Sequence, residues 1–314
     1  MRTRRVGASG LTVGRLGLGT LTWGQETDAD EAGAILAAFR SAGGTLVCTS
    51  DGFGDGAAED VLGRLMGAAR GELVVATQTG APWAAQRGGS RRTLLAALDA
   101  SLDRLRTDHV DLWLVRGLDG SAPVAETLSA LEHAVRSGRA RYVGFTDVAA
   151  WQLATAATTQ AMVPGGTPLT AVHAEWSLLA RDVERELVPA AAAAGVGVLA
   201  WSPLGRGVLT GKYRGGVPRD SRGGSERWQS FVAPYLDERA TRVLDGVLTA
   251  ADGLGVSPAA VALAWLRDRP GAAAAVTGPR TAAQLQAALA AEDLVLPEEI
   301  EQALDEVSAP APRP

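Results

Sequence analysis

Short apolar runs alternate with longer segments of helical periodicity along almost the whole chain. This alternation constrains the fold more than any other feature. The candidate strands are Arg15–Gly19, Thr45–Thr49, Leu73–Thr77, Val110–Val115, Ala140–Phe145, Leu169–Ala174, Gly197–Trp201 and Ala273–Thr277. The candidate helices between them are Asp28–Ser41, Ala57–Ala69, Arg91–Leu105, Ala122–Ser137, Ala149–Thr159, Asp182–Ala194 and Ser257–Asp268. The strands read as near-continuous apolar runs, the pattern of a parallel sheet buried on both faces. A strand–helix unit repeated this many times predicts an α/β fold, a (β/α)8 TIM barrel. A doubly wound sheet would need a Gly-rich turn from an early strand into a helix, and Gly17-Leu18-Gly19 lacks the third glycine.

Two segments fall outside the repeat. Arg4–Val13, with its Ala8-Ser9-Gly10 turn, predicts an N-terminal β-hairpin that plugs the barrel floor. Gly205–Tyr235, after strand seven, is rich in Gly and Arg and has no clear period. A loop of that length inside a compact domain is usually functional, and in a barrel it lies on the C-terminal face. The 314 residues suffice for one large domain, expected over residues 1–307. The Pro-rich segment 308–314 reads as a disordered tail.

Net charge is −5, which gives no basic surface for nucleic acid. The single cysteine rules out an internal disulfide framework. The start, MRTRRVGASG, is basic but lacks the apolar core of a secretory signal. No window reaches the length of a membrane span. A cytoplasmic protein with a small-molecule substrate and no membrane partner is expected. The three histidines are scattered without ligand spacing, so no metal site is expected.

The chemistry-bearing residues fall at the expected strand ends. Leu46–Gly63 reads LVCTSDGFGDGAAEDVLG: a strand ending in Cys48-Thr49-Ser50, a tight Asp51–Gly56 turn, then a helix from Ala57. Further stretches accompany it: Leu11–Thr20 (LTVGRLGLGT), Gly138–Asp147 (GRARYVGFTD), Glu175–Arg181 (EWSLLAR), Trp201–Lys212 (WSPLGRGVLTGK), and Gly278-Pro279-Arg280-Thr281 with Gln284. Together these resemble the aldo-keto reductase family and span nearly the whole chain.

The resemblance implies a TIM-barrel oxidoreductase that binds NADP(H). It implies that Trp201 stacks on the nicotinamide ring, which a flat indole does as well as a phenol. Ser202, Leu204 and Gly207 would present hydroxyl and backbone N–H groups to the pyrophosphate. Arg280, with Gln284, matches the adenosine end, where pairing with a 2′-phosphate favours NADP over NAD. Thr146-Asp147 stands where the family has a Ser-Asn carboxamide clamp, so an acceptor is kept and an amide donor lost. His173 stands in place of the usual Gln, and Ala287-Ala288 in place of a Glu-Asn pair near the adenine.

The family's reaction uses Tyr as proton donor, Lys to lower its pKa, Asp to hold the Lys and His to polarise the carbonyl. The matching positions here carry Phe53, Gln78, Cys48 and Arg116. Phe has no proton to give, and a guanidinium stays charged. Positioned general acids contribute about 10²–10⁴-fold, so ordinary carbonyl reduction is not expected. Arg116 is a candidate anchor for an anion or substrate, worth about 3 kcal/mol as an oxyanion donor.

Other groups carry two readings each. Asp51 and Asp55 become acids if burial raises their pKa, and are otherwise turn residues. Glu59 is expected in a first helical turn, favoured by the dipole. His173 shares a strand face with Glu175 and is either a hydrogen-bonded cofactor contact or a core histidine. Cys48 is a thiolate nucleophile if Arg116 supplies the charge, or a small buried apolar side chain. Trp23, Trp83, Trp113 and Trp228 either wall an apolar pocket or belong to the core.

Three functions follow from the resemblance. The first is an NADP(H)-dependent oxidoreductase with altered hydride transfer, to an iminium ion or a conjugated C=C bond. The second is an inactive relative, a pseudoenzyme that senses NADP(H) or binds another protein. The third is a non-redox cyclase or lyase using the barrel pocket, for which no motif speaks directly.

Overall fold

The computed structural model describes residues 1–80, 88–118, 120–219 and 221–310. The first two strands, β1 (Thr3–Arg5) and β2 (Thr12–Gly14), pair antiparallel as a hairpin. The next eight are β3 (Leu16–Gly19), β4 (Leu46–Ser50), β5 (Val74–Thr79), β6 (Val110–Arg116), β7 (Ala140–Thr146), β8 (Leu169–Glu175), β9 (Gly197–Trp201) and β10 (Ala272–Thr277). They form a closed barrel in sequence order, with β10 returning to β3, and every ladder is parallel. The predicted TIM barrel is the observed fold.

The helices are α1 (Ala29–Ser41), α2 (Ala57–Met66), α3 (Arg91–Leu105), α4 (Val124–Arg136), α5 (Ala150–Ala161), α6 (Leu187–Ala193), α7 (Gln229–Val232), α8 (Glu238–Leu254), α9 (Pro258–Arg267), α10 (Ala282–Leu289) and α11 (Glu298–Val307). Their starts follow local chemistry. Asp28, Ser90, Asp237, Ser257 and Thr281 each accept a backbone N–H of the first turn. The helix expected over Asp182–Ala194 is shorter: residues Asp182–Glu184 form a separate 3-10 turn before α6. The long segment after β9 is not featureless either. It folds into 3-10 turns at Gly205–Thr210, Arg222–Gly224 and Ala233–Tyr235, with α7 between the last two.

Strand alternation separates two cores. Outward residues such as Val47, Val75, Trp113, Val143, Phe145, Val172 and Val198 pack under the helices. Inward residues Leu46, Cys48, Ala76, Leu112, Leu114, Ala171, Leu199 and Ala274 fill the barrel together with Val6, Leu11 and Val13 of the hairpin. The hairpin plugs the floor, as its sequence suggests. Gly144 has no room for a side chain: a Cβ there would stand 2.0 Å from the Ala171 carbonyl of the next strand.

A buried ionic knot ties the floor to the helices. Arg267, at the end of α9, is 3% exposed. Its guanidinium donates to the carbonyls of Ala291, Glu292 and Leu294 and pairs with Asp268. Arg15 of the barrel wall donates to the Glu292 carboxylate at 2.8 Å and to its carbonyl at 2.9 Å. At the other end of the chain, Ser308 is fully buried and its hydroxyl accepts from Arg181 at 2.9 Å. Anchoring thus continues past the point at which the sequence suggests a loose tail.

Replacing Arg267 by Met keeps volume but removes the donor to the Ala291 and Leu294 carbonyls, while Arg15 still serves the Glu292 carbonyl and the half-exposed Asp268 carboxylate. Hydrogen bonds from charged groups contribute about 1.5–3 kcal/mol each, so a loss on the order of 4 kcal/mol is expected. A urea unfolding curve of the variant checks this, and an unchanged midpoint would exclude the role assigned to the knot.

Candidate functional site

Each barrel strand carries its inward alternation one step further at its C-terminal end. Two residues beyond the apolar layer of Cys48, Ala76, Leu114, Gly144, Ala171 and Leu199 stand Ser50, Gln78, Arg116, Thr146, His173 and Trp201. The floor layers are apolar, and the mouth layer is polar and aromatic. This ring brings together residues from six strands, including four of the expected site positions from β7, β8 and β9 or their ends: Thr146, Asp147, His173 and Trp201.

Asp147 is the hub of the ring. Its φ of +54° is a left-handed conformation, one that Asp and Asn adopt more readily than most side chains. The backbone N–H of Asp147 donates to the His173 carbonyl at 3.0 Å. One carboxylate oxygen, Oδ2, lies 2.6 Å from Arg116 Nη1. The other, Oδ1, accepts the Trp201 indole N–H at 2.9 Å. Arg116 and Trp201, on strands separated by β7 and β8, are therefore fixed through one side chain.

Gln78 and His173 meet across the barrel. The Gln78 amide nitrogen is 2.9 Å from His173 Nδ1. With the amide donating, Nδ1 accepts and the ring proton sits on Nε2. Nε2 is buried and has no partner among the described residues. Burial pushes the His173 pKa down to about 4; Asp147 opposes the shift and Arg116 adds to it. His173 is thus a neutral imidazole at neutral pH. Cys48, one layer below, is 2% exposed, and burial pushes its thiol up to about 12. That value excludes the thiolate reading of Cys48 at neutral pH.

The turn after β4 is held from below. Asp51 accepts the Gly80 N–H at 3.3 Å and the Ser50 hydroxyl at 3.2 Å. Burial raises the Asp51 pKa, against these hydrogen bonds and the nearby Arg104 charge. Phe53 is half-buried and packs on the outer core. Asp55 takes a φ of +53° at the tip. Glu59 is not solvated: it is fully buried, accepting Thr77 Oγ1 at 2.5 Å and Arg104 Nε at 2.7 Å.

The segment after β9 folds back over Trp201. Arg206 pairs with both oxygens of Glu175, at 2.8 and 2.6 Å. Its guanidinium lies 4.0 Å from the Phe231 ring centre, 4.8 Å from Tyr235 and 5.8 Å from Trp201. Phe231 is stacked on Trp201 at 6.4 Å and 19°. Trp228 meets Phe231 edge-on and donates its indole N–H to Glu26 at 2.6 Å. This strap joins the end of β9 to the segment after β3.

Cations gather beneath the strap. Burial lowers the Arg222 pKa, and the Arg280 charge lowers it further, with Glu26 and Tyr213 opposing. Burial also lowers Lys212, with Arg280 and Arg222 adding to the shift and Tyr213 opposing it. Arg222 Nη2 reaches the Gly278 carbonyl at 3.5 Å. A Cβ on Gly207, at φ +95°, would stand 3.0 Å from Lys212 Nζ. Like charges that depress one another's pKa favour an anion near them.

A family model described as the aldo/keto reductase family matches residues 15–309. The chain belongs to the aldo/keto reductase family. It is 32% identical over 303 residues to a probable voltage-gated potassium channel subunit beta of Arabidopsis thaliana, covering 94% of this chain and 92% of that protein. It is 34% identical to the L-glyceraldehyde 3-phosphate reductase of Escherichia coli K12, over 91% and 86% of the two chains. It is 32% identical to an uncharacterized oxidoreductase, YrpG, of Bacillus subtilis, over 96% and 94%.

Within this aldo/keto reductase barrel, several expected roles change. Gly207 does not offer a free amide: its N–H donates to the Leu204 carbonyl at 3.0 Å. Its missing Cβ, which leaves room for Lys212, is the feature that matters. The Gln284 carboxamide oxygen accepts the Arg280 backbone N–H at 2.9 Å, so Gln284 orients the turn that carries Arg280. Ser202, like Asp147, sits at positive φ, +53°. Trp23 and Trp113 are fully buried core residues, and Trp113 donates to Thr79 at 2.8 Å. Trp228 alone of the described tryptophans in that set reaches the rim, and Trp83 lies outside the described residues. Sequence reasoning missed Lys212, Arg222, Arg206 and Phe231 as site residues. The Gly- and Arg-rich composition after β9 was the signal for them. Among the described residues no cluster of His, Cys, Asp or Glu could hold a metal ion, and no single helix is long and apolar enough to cross a membrane.

Two measurements check these assignments. The unfolded chain protonates His173 near 6.5 and the folded chain near 4, so this group stabilises the fold fully above 6.5. Its contribution falls as pH drops from 6.5 toward 4, by about 3 kcal/mol in all. His173→Gln is expected to flatten that part of a stability–pH curve. Placing a carboxylate in the apolar layer by Cys48→Asp should cost on the order of 3–5 kcal/mol. Adding Gln78→Lys should recover most of it, and additive losses in a double-mutant cycle would contradict the coupling.

Proposed function

We propose that this chain is an NADP(H)-binding oxidoreductase that delivers hydride where no alkoxide forms, to an iminium ion or a conjugated C=C bond. The observation that carries the reading is the Gln78–His173 bond. At the position where the family resemblance calls for a lysine, the side chain is neutral and turned across the barrel, and Phe53 stands where a phenol is called for. Asp51 is committed to Gly80 and Ser50, and the Tyr235 phenol belongs to the Arg206–Glu175 cluster. Neither is arranged to hand a proton to an oxygen beside Phe53.

The residues present fit the cofactor. Lys212, Arg222 and Arg280 would hold its phosphates, and the Gly207 and Gly278 backbones leave room for them. Trp201, locked by Asp147, would support the nicotinamide. Bound NADPH supplies the hydride. An iminium carbon that accepts hydride becomes an amine carbon and needs no proton there. A conjugated C=C bond would leave an enolate, whose oxygen Arg116 would hold beside Asp147 while solvent protonates the α-carbon.

A second reading is a protein-binding or NADP(H)-sensing pseudoenzyme. The extended similarity to potassium channel subunits named beta favours it. A cyclase or lyase has no observation in its support.

Titration of NADPH followed by nicotinamide fluorescence tests the cofactor. Arg280→Ala is expected to weaken NADPH about ten-fold or more and to leave NADH nearly unchanged. A panel of iminium ions, enones, aldehydes and ketones with NADPH, followed by absorbance, tests the chemistry. Turnover restricted to iminium ions or enones is expected. Cofactor binding without any turnover would favour the sensing reading, and absence of binding would overturn both.

A further inference from the structure

Among the described outer helices α5, α6 and α10 expose residues but no charge, and of these only α5 with its extension exposes large apolar side chains. From Val148 to Val172 the chain carries no charged residue, and this stretch holds α5 and its C-terminal extension. Trp151 at its start is 69% exposed, and Met162 and Val163 at its end are 79% and 40% exposed. Ala154, Thr155, Thr158 and Ala161 are exposed between them. The Thr155 and Thr159 hydroxyls donate at 2.8 Å to the carbonyls of Trp151 and Thr155. Covering these hydroxyls therefore strands no donor. The neighbouring helix α6 packs on α5 and adds exposed Pro189, Ala192 and Ala193, again without charge. By contrast α3 exposes Arg91 and Arg92, and α8 exposes Glu238, Arg242 and Asp245. Elsewhere the exposed large apolar residues Val217, Leu236 and Val295 stand apart in sequence.

We propose that the α5–α6 face joins two copies of this chain about a two-fold axis. A contiguous apolar patch with an indole and a thioether in water favours being covered. A face without charge offers no complement to an acidic or basic partner. A two-fold axis lays the face on itself, and each Trp151 meets apolar residues of the other copy. Helix α5 is about 18 Å long, and with its extension and α6 beside it the face spans roughly 25 by 20 Å. Two such faces together bury on the order of 1,000 Å², at the threshold of a specific interface and below the standard size. An interface of that size is expected to be reversible, with Trp151 as its anchor.

Sedimentation velocity of the full chain across the micromolar range tests this. The 32.3 kDa monomer is expected to give way to a species of twice that mass as concentration rises. Trp151→Glu with Met162→Glu should remain monomeric throughout while keeping its circular dichroism. Should that variant misfold, a second test remains. Cys48 is buried, so Ala154→Cys supplies a lone accessible thiol. A short bis-maleimide should link it into dimers at least ten-fold more than Ala68→Cys, exposed beyond α2. A wild-type chain that stays monomeric, a dimer that survives the double substitution, or equal cross-linking at both positions would overturn the proposal.

Discussion

Closing eight parallel strands into a barrel forces every second side chain inward, and the mouth layer must then satisfy itself. The floor is filled by the hairpin and apolar residues, so the polar groups have nowhere to go but the ring at the strand ends. Asp147 organises that ring by accepting Arg116 on one oxygen and Trp201 on the other. The same crowding explains why Cys48 and Gln78 belong together. A carboxylate in the Cys48 layer would be buried without a partner, and an uncompensated buried charge costs several kcal/mol. A neutral thiol below a neutral amide avoids that cost.

Much of this was legible in the sequence because it follows from local pattern. The eight apolar runs match the eight barrel strands, and the Arg4–Val13 hairpin plugs the floor as its turn suggests. The motif after Trp201 marks the strap. What was hidden lies in contacts between residues far apart in the chain. Gln78 and His173 stand on strands separated by two others, and no spacing rule joins them. The pairing of Arg116 with Asp147 is of the same kind. Gly207 misled because a Gly-rich turn suggests free amides, whereas this turn spends its own. For Trp113 the sequence left pocket wall and core both open, and its register decides for the core, because it points outward under the helices. Helix α8 went unread although Asp237 caps it, because the loop before it masked its start.

The two ends of the site differ in how they respond to change. The strap is held by Arg206–Glu175, by stacked aromatics and by the Trp228–Glu26 bond, so its shape rests on several independent contacts. The mouth ring rests on the Arg116–Asp147–Trp201 and Gln78–His173 contacts. On the proposed function, substitutions in the ring would alter chemistry while leaving Lys212, Arg222 and Arg280 in place. In the proposed reading, the barrel keeps its means of holding a dinucleotide and has exchanged its means of moving a proton.

Restoring the proton-moving groups tests that claim most directly. The variant combining Cys48→Asp, Phe53→Tyr, Gln78→Lys and Arg116→His should be assayed with NADPH and a simple aldehyde beside the wild-type chain. A gain of about 10²-fold or more in carbonyl reduction is expected, the contribution of a positioned general acid. A variant that binds NADPH yet gains no activity, or a wild-type chain that already reduces the aldehyde as fast, would contradict the account.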